Sequence, residues 1–175
     1  MFWRRRKGSE DRPKALSGNA YQGLRRQILE LVPAEAGFNP APEGRVVYGA
    51  IMDWPVAGAV ATVVALADGT ASLYLSGGGG IIGGGPHPAV AQAARTFLLS
   101  LENYLEAMVE DDHEGRLPPV GMTDLRALTT TGRRVVRAST TDLGEFRHPL
   151  ANAFHAGQNL LGALRQVAES QGSRP

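Results

Sequence analysis

The chain has 175 residues, 43% hydrophobic and 20% charged, with a formal net charge of +1 and no cysteine. That length suits one domain with a single core, and the lack of cysteine excludes disulfides, thiolate zinc sites and cysteine nucleophiles. No apolar run approaches the roughly 18–20 residues that span a bilayer, and the start MFWRRRKG lacks the apolar stretch of a secretory signal, so a cytoplasmic protein is expected.

Residues 1–16 read as a disordered basic tail and 17–171 as a single α+β domain. The tail concentrates Arg4, Arg5, Arg6, Lys7, Arg12 and Lys14 against only Glu10 and Asp11. The remaining body is therefore mildly acidic, which argues against a nucleic-acid partner. Phe2 and Trp3 beside Arg4, Arg5 and Arg6 could make a weak contact with an anionic membrane surface; the plainer role is a solubilising end.

Asn19 with Gln22 three residues on reads as a capping box. Tyr21, Leu24, Ile28 and Leu31 then share a helical face until Pro33. After a Pro/Gly-rich connector, Val46, Tyr48, Ala50 and Met52 alternate as one face of a strand that ends at Asp53-Trp54-Pro55. Ala59 to Ala67 is apolar on both faces, as a central strand would be. Asp68-Gly69 is a hairpin signal, and Ala71, Leu73 and Leu75 continue on the returning strand. Val90, Phe97, Leu101, Leu105 and Met108 mark an amphipathic helix from about Pro88 to Glu110. Strands over about Gly121 to Thr129 and Arg133 to Ser139, joined across Thr131-Gly132, precede a last helix from Pro149 to about Glu169.

The expected fold is thus α+β: one antiparallel five-stranded sheet with three packed helices, in the order α-β-β-β-α-β-β-α. This order, over residues 19–170, resembles that of type III secretion chaperones, small dimeric proteins that hold a partner's unfolded segment. It is similar, less closely, to the roadblock and longin adaptor folds. The likeness lies in element order alone, and no motif carries functional residues across.

Residues 73–90, LYLSGGGGIIGGGPHPAV, hold seven of the 22 glycines. A P-loop is ruled out, because it needs a lysine to reach the phosphates and none follows Lys14. Gly78, Gly80 and Gly83 fit the dinucleotide pattern G-x-G-x-x-G, but they follow a hairpin strand and not the first strand of a βαβ unit. Two uses remain. The loop could offer backbone N–H groups to an anion at a helix amino terminus, or it could be a structural passage with Ile81 and Ile82 turned into the core.

His87-Pro88 and His148-Pro149 open two helices in the same way, so each imidazole is expected to cap its helix. Alternatively both openings face one cleft, with Arg147 adding positive charge for an anionic ligand. His148, Asn152, His155 and Asn159 form a narrow polar stripe on the last helix, opposite Leu150, Phe154, Gly157, Leu161 and Leu164. Such compact polar residues suit either solvent or a half-buried contact with a partner, and Asn152, His155 and Asn159 are the interface candidates. His148 and His155 lie two turns apart, roughly 10 Å, too far to share a metal.

The acidic run Glu110 to Glu114 lacks the pattern of a calcium loop and reads as a solvated turn. Arg126, Arg133, Arg134 and Arg137 read as a charged sheet edge that discourages aggregation. No nucleophile, base and acid occur at informative spacing, so no catalytic residue, cofactor or metal is assigned. The leading expectation is a non-enzymatic interaction module, adaptor- or chaperone-like, that forms a homodimer and binds another protein. The alternative is a small-molecule or anion-binding domain built on Gly78, Gly80, Gly83, His87, Arg147 and His148.

Overall fold

A computed structural model describes residues 18–38, 46–83, 86–112 and 115–172. The basic tail, and with it the membrane contact expected of Phe2, Trp3 and Arg4 to Arg6, lies outside them. The chain runs α1 (Gly18–Leu29), β1 (Val47–Val56), β2 (Ala59–Leu66), β3 (Ala71–Leu75), β4 (Gly80–Ile81), α2 (Pro88–Glu102), β5 (Val109–Glu110), β6 (Met122–Thr129), β7 (Gly132–Ser139), α3 (Thr140–Gly144) and α4 (Ala151–Gly172). Among the described residues no helix is long and apolar enough to cross a membrane.

The α+β class and the single antiparallel sheet are as expected, but among the described residues the sheet has seven strands, in the order β4-β3-β2-β1-β6-β7-β5, and there are four α-helices. The two additional strands are two-residue edges, β4 on β3 and β5 on β7. They replace features read otherwise from the sequence. The helix expected to reach Glu110 stops at Glu102, whose carboxylate accepts the Val46 N–H at 3.0 Å. The chain then turns so that Met108 re-enters the core and Val109-Glu110 pair with β7.

β2 is an interior strand as expected, paired with β3 and β1 and largely buried, and β1 lies at the middle of the sheet. It joins β2 through a tight hairpin in which Ala57 (φ 50) and Gly58 (φ 80) are both left-handed, the backbone that matches strand twist. Pro55 is tolerated because it lies beyond the stretch of β1 paired with β6, where no ladder donor is needed. Asp68-Gly69 makes the β2–β3 hairpin as expected, with the Thr70 N–H donating to the Asp68 carboxylate at 2.8 Å. A register shift between Val47 and Gly49 puts Tyr48 on the opposite face from Ala50 and Met52.

The two faces of the sheet follow different logic. On one, Ala50, Met52, Val63, Leu73, Leu125 and Ala127 pack under α2 and α4 in the main core. Gly157 lets α4 approach closely, since a Cβ there would lie 2.9 Å from the Met52 sulfur. On the other face α1 and the 3-10 turn Pro33–Ala36 cover a smaller cluster of Tyr48, Ile51, Val64, Leu66, Tyr74 and Leu128. α1 begins at Gly18, so Asn19 falls within its first turn and not before it.

Candidate functional site

The glycine segment is a hairpin before it is anything else. Gly78 and Gly79 (φ 108 and 87) form the β3–β4 turn, closed by Gly78 N–H to Leu75 and Leu75 N–H to Gly79. Gly80 then pairs with Tyr74 and Ile81 with Leu73, and Gly83 follows with φ 79. Ile81 packs against the main core, but Ile82 is 62% exposed. The expectation that both isoleucines turn inward therefore fails for Ile82, because the period of a strand sends neighbours to opposite sides. Gly84 and Gly85 lie outside the described residues.

The two histidine openings differ. The His148 Nδ1 accepts the Leu150 N–H at 3.1 Å, the expected cap, although α4 starts only at Ala151. His87 makes no such bond; its Nε2 lies 3.2 Å from the Gln171 Nε2, in an open cleft of about 330 Å³ between the start of α2 and the end of α4. The openings therefore sit at opposite ends of α4, roughly 30 Å apart by helix rise. They do not line one cleft. Arg147 is already engaged on its own turn, with Asp142 at 2.8 Å and with Glu145.

The polar stripe of α4 has more definition. Asn152 and Asn159 are exposed and His155 is half-buried between them. The His155 Nε2 bonds the Gly144 carbonyl at 3.2 Å, and its ring stacks on Phe146 with centroids 4.3 Å apart and planes 11° off parallel. His155 in turn meets Phe154 edge-on at 5.6 Å, and Phe154 meets Trp54 of β1 edge-on at 5.9 Å. Four rings thus run from the sheet through α4 to the surface, where Phe146 is 64% exposed.

Phe146 owes its place to a helix that the sequence pattern did not announce. Ser139 caps α3 by accepting the Asp142 N–H at 3.3 Å, so Ser-Thr-Thr-Asp was the available signal. α3 then ends through the Glu145 N–H on the Thr141 carbonyl and the Arg147 N–H on the Asp142 carbonyl. Between them Phe146 adopts φ 57, the left-handed conformation usually left to glycine after a helix. An aromatic side chain is held there against its backbone preference.

A second constellation lies under α1, and its parts differ from what the sequence suggests. Arg126 is not at a charged edge but wholly buried, bridging three carboxylates: Asp53 of β1, Asp124 of β6 at 2.7 Å and Asp111 at 3.1 Å. Asp111 likewise belongs to no solvated turn, its side chain being fully buried. Arg25 reaches down from α1 to both Asp53 oxygens at 3.2 and 2.6 Å, and to the Gly115 carbonyl. Thr62 donates to Asp53 at 2.6 Å and shares a 2.8 Å bond with the Tyr21 hydroxyl. Arg137 holds Asp124 from the β7 side at 2.7 Å.

Burial opposes the Arg25 charge, yet the bonds and charge of Asp53 outweigh it and raise its pKa. Hydrogen bonding to Asp124 does the same for Arg137, and desolvation raises Tyr21. Among the described residues no buried side-chain polar atom lacks a partner. The carboxylates are already bridged by arginines, and among the described residues no group of three or more metal-ligating side chains is placed to hold an ion. This network fixes α1 on the sheet. Its saturation makes it architecture, and the surface end of the ring chain is the better functional candidate.

No family model matches the chain, and neither the curated proteins nor the solved structures give a significant match.

Proposed function

We propose that the protein is a non-enzymatic interaction module, adaptor- or chaperone-like in use, that engages another protein through the outward face of α4 and the Phe146 turn. The observation that carries this reading is the absence of charge on that face. From His148 to Leu164 the sequence has no Asp, Glu, Lys or Arg, although Asn152 and Asn159 are exposed and His155 half-buried. Solvated helices ordinarily spend such positions on long charged side chains, whereas the centres of protein interfaces are depleted in them.

Phe146 adds the second ingredient. Its ring is exposed, its backbone is strained, and its stack on His155 leaves little side-chain freedom to lose on binding. A rigid aromatic that is already ordered makes a low-cost anchor, and strained backbone tends to persist where it serves a function.

Site-specific photo-crosslinking in the native cell tests the proposal. A crosslinker at Asn152 should capture a discrete protein species, and one at the exposed Gln27 on α1 should not. The same capture pattern from both positions, or none from Asn152, would sink it.

A further inference from the structure

We infer that α1 is a lid on the sheet, closed by a polar latch, and that it opens as a unit while the rest of the fold stays in place. The inference concerns the face of the sheet opposite α4 and does not rest on the interaction reading above.

The latch is Tyr21 with Arg25, four residues apart and so on one side of the helix. Among the described side chains of α1 these two alone are buried. The Tyr21 hydroxyl shares its bond with Thr62, and Arg25 spans both oxygens of Asp53. The apolar side chains that α1 turns to the sheet, Leu24, Ile28 and Leu29, are half-buried. The main core lies beneath α2 and α4, and none of its members comes from α1. Lifting α1 therefore exposes little of the apolar surface that holds the protein together, the condition for an opening well below global unfolding.

The charges decide between a latch and a permanent tie. Removing one partner of a buried ion pair is prohibitive when the other is left uncompensated. Here it is not. Without Arg25, Asp53 keeps Arg126 and the Thr62 hydroxyl, Asp124 keeps Arg126 and Arg137, and Asp111 keeps Arg126 and Arg133. Three carboxylates still face three arginines that the sheet itself carries, while the Arg25 guanidinium and the Tyr21 hydroxyl pass into water. The carboxyl end of α1 supplies the hinge. Arg133 donates to the Leu29 carbonyl at 3.2 Å and the Tyr48 hydroxyl to the Leu31 carbonyl at 2.7 Å. Beyond it Ala36 is wholly buried and the Phe38 ring packs on Tyr48, so the chain past Leu31 stays on the sheet. Opening uncovers Asp53 and Thr62.

Hydrogen exchange of the full chain at neutral pH, read on peptides from α1, β1 and α4, tests the lid. Amides of residues 22–29 should be protected, yet exchange about tenfold or more faster than those of β1. Arg25→Met should speed α1 by about a further tenfold and leave β1 and α4 within about twofold. Tyr21→Phe keeps the ring and removes the Thr62 bond; it should act the same way by a smaller factor, and it decides the matter if the methionine variant misfolds. An α1 without protection in the wild type, an α1 that exchanges in step with β1, or variants that speed every protected amide equally would each overturn the inference.

Discussion

Replacing Phe146 by Gly and by Ala separates the strain at that turn from the stacking that compensates it. At φ 57 any residue with a Cβ is disfavoured, and Gly is preferred over Ala there by about 1 kcal/mol even after its extra unfolded-state entropy is counted. The ring contributes its stack on His155, about 0.5–1.5 kcal/mol, and little burial, because it is 64% exposed. Phe146→Ala loses the stack and keeps the strain, so it should cost about 1 kcal/mol. Phe146→Gly loses the stack and relieves the strain, so it should lie near the wild type. For a chain of this size 1 kcal/mol is roughly 2–4 °C in melting temperature, a separation that calorimetry resolves. An Ala variant as stable as the Gly variant would show that the turn is not strained. A loss of about 3–5 kcal/mol in both, the usual cost of emptying a core aromatic site, would show that Phe146 belongs to the core and not to a surface platform.

Arg126→Met removes the one cation shared by three buried carboxylates, leaving Asp53 to Arg25, Asp124 to Arg137 and Asp111 to Arg133, and should cost about 3–5 kcal/mol in chemical denaturation, where a loss below about 1 would mean the network is solvated. Ile82→Ser should stay within about 0.5 kcal/mol while Ile81→Ser costs clearly more, and equal losses would contradict the placement of β4. Desolvation raises the pKa of Tyr21, Tyr48 and Tyr74 above the usual 10.0. The native state therefore keeps phenolic protons that the unfolded chain releases first, so their contribution is complete below about pH 10 and is lost as pH rises through the folded values. Stability measured from pH 9 upward should fall, and fall less steeply in Tyr21→Phe; a flat profile would contradict the burial of these hydroxyls.

The parts of the fold legible in the sequence were those fixed by local pattern. Alternation placed β3, and the join at Thr131-Gly132 placed β6 and β7, to within a residue or two, while Asp68-Gly69 marked its hairpin because that dipeptide meets a backbone need on its own. What escaped depended on partners far along the chain. β4 and β5 are two residues each and exist only because β3 and β7 offer open edges. Arg126 on β6 reads with Arg133, Arg134 and Arg137 as a charged sheet edge, since clustered charges on strands ordinarily mean water. Its burial is set by Arg25, Asp53 and Asp111, 101, 73 and 15 residues from Arg126. At the candidate site, the stripe of Asn152, His155 and Asn159 was visible as a helical period, but Phe146 was not. Its role comes from a five-residue helix and from a ring contact nine residues away.

The contrast between the two helical attachments bears on where a partner can bind without unfolding anything. α1 buries only Tyr21 and Arg25 among its described side chains, and both spend their polar groups on the sheet. A partner reaching the network beneath α1 would have to remove α1 and leave Asp53 with one fewer counter-charge, a cost that falls on every binding event. α4 buries seven residues in the core, from Ala151 to Leu164, and so stays in place whatever binds its other side. Its outward stripe needs no rearrangement: the Asn side chains are exposed, the His155 ring is fixed by Gly144 and Phe146, and the platform is complete in the free chain. A face anchored from behind and uncharged in front can be covered at low cost. That asymmetry, more than any single residue, favours α4 over the charged network as the working surface.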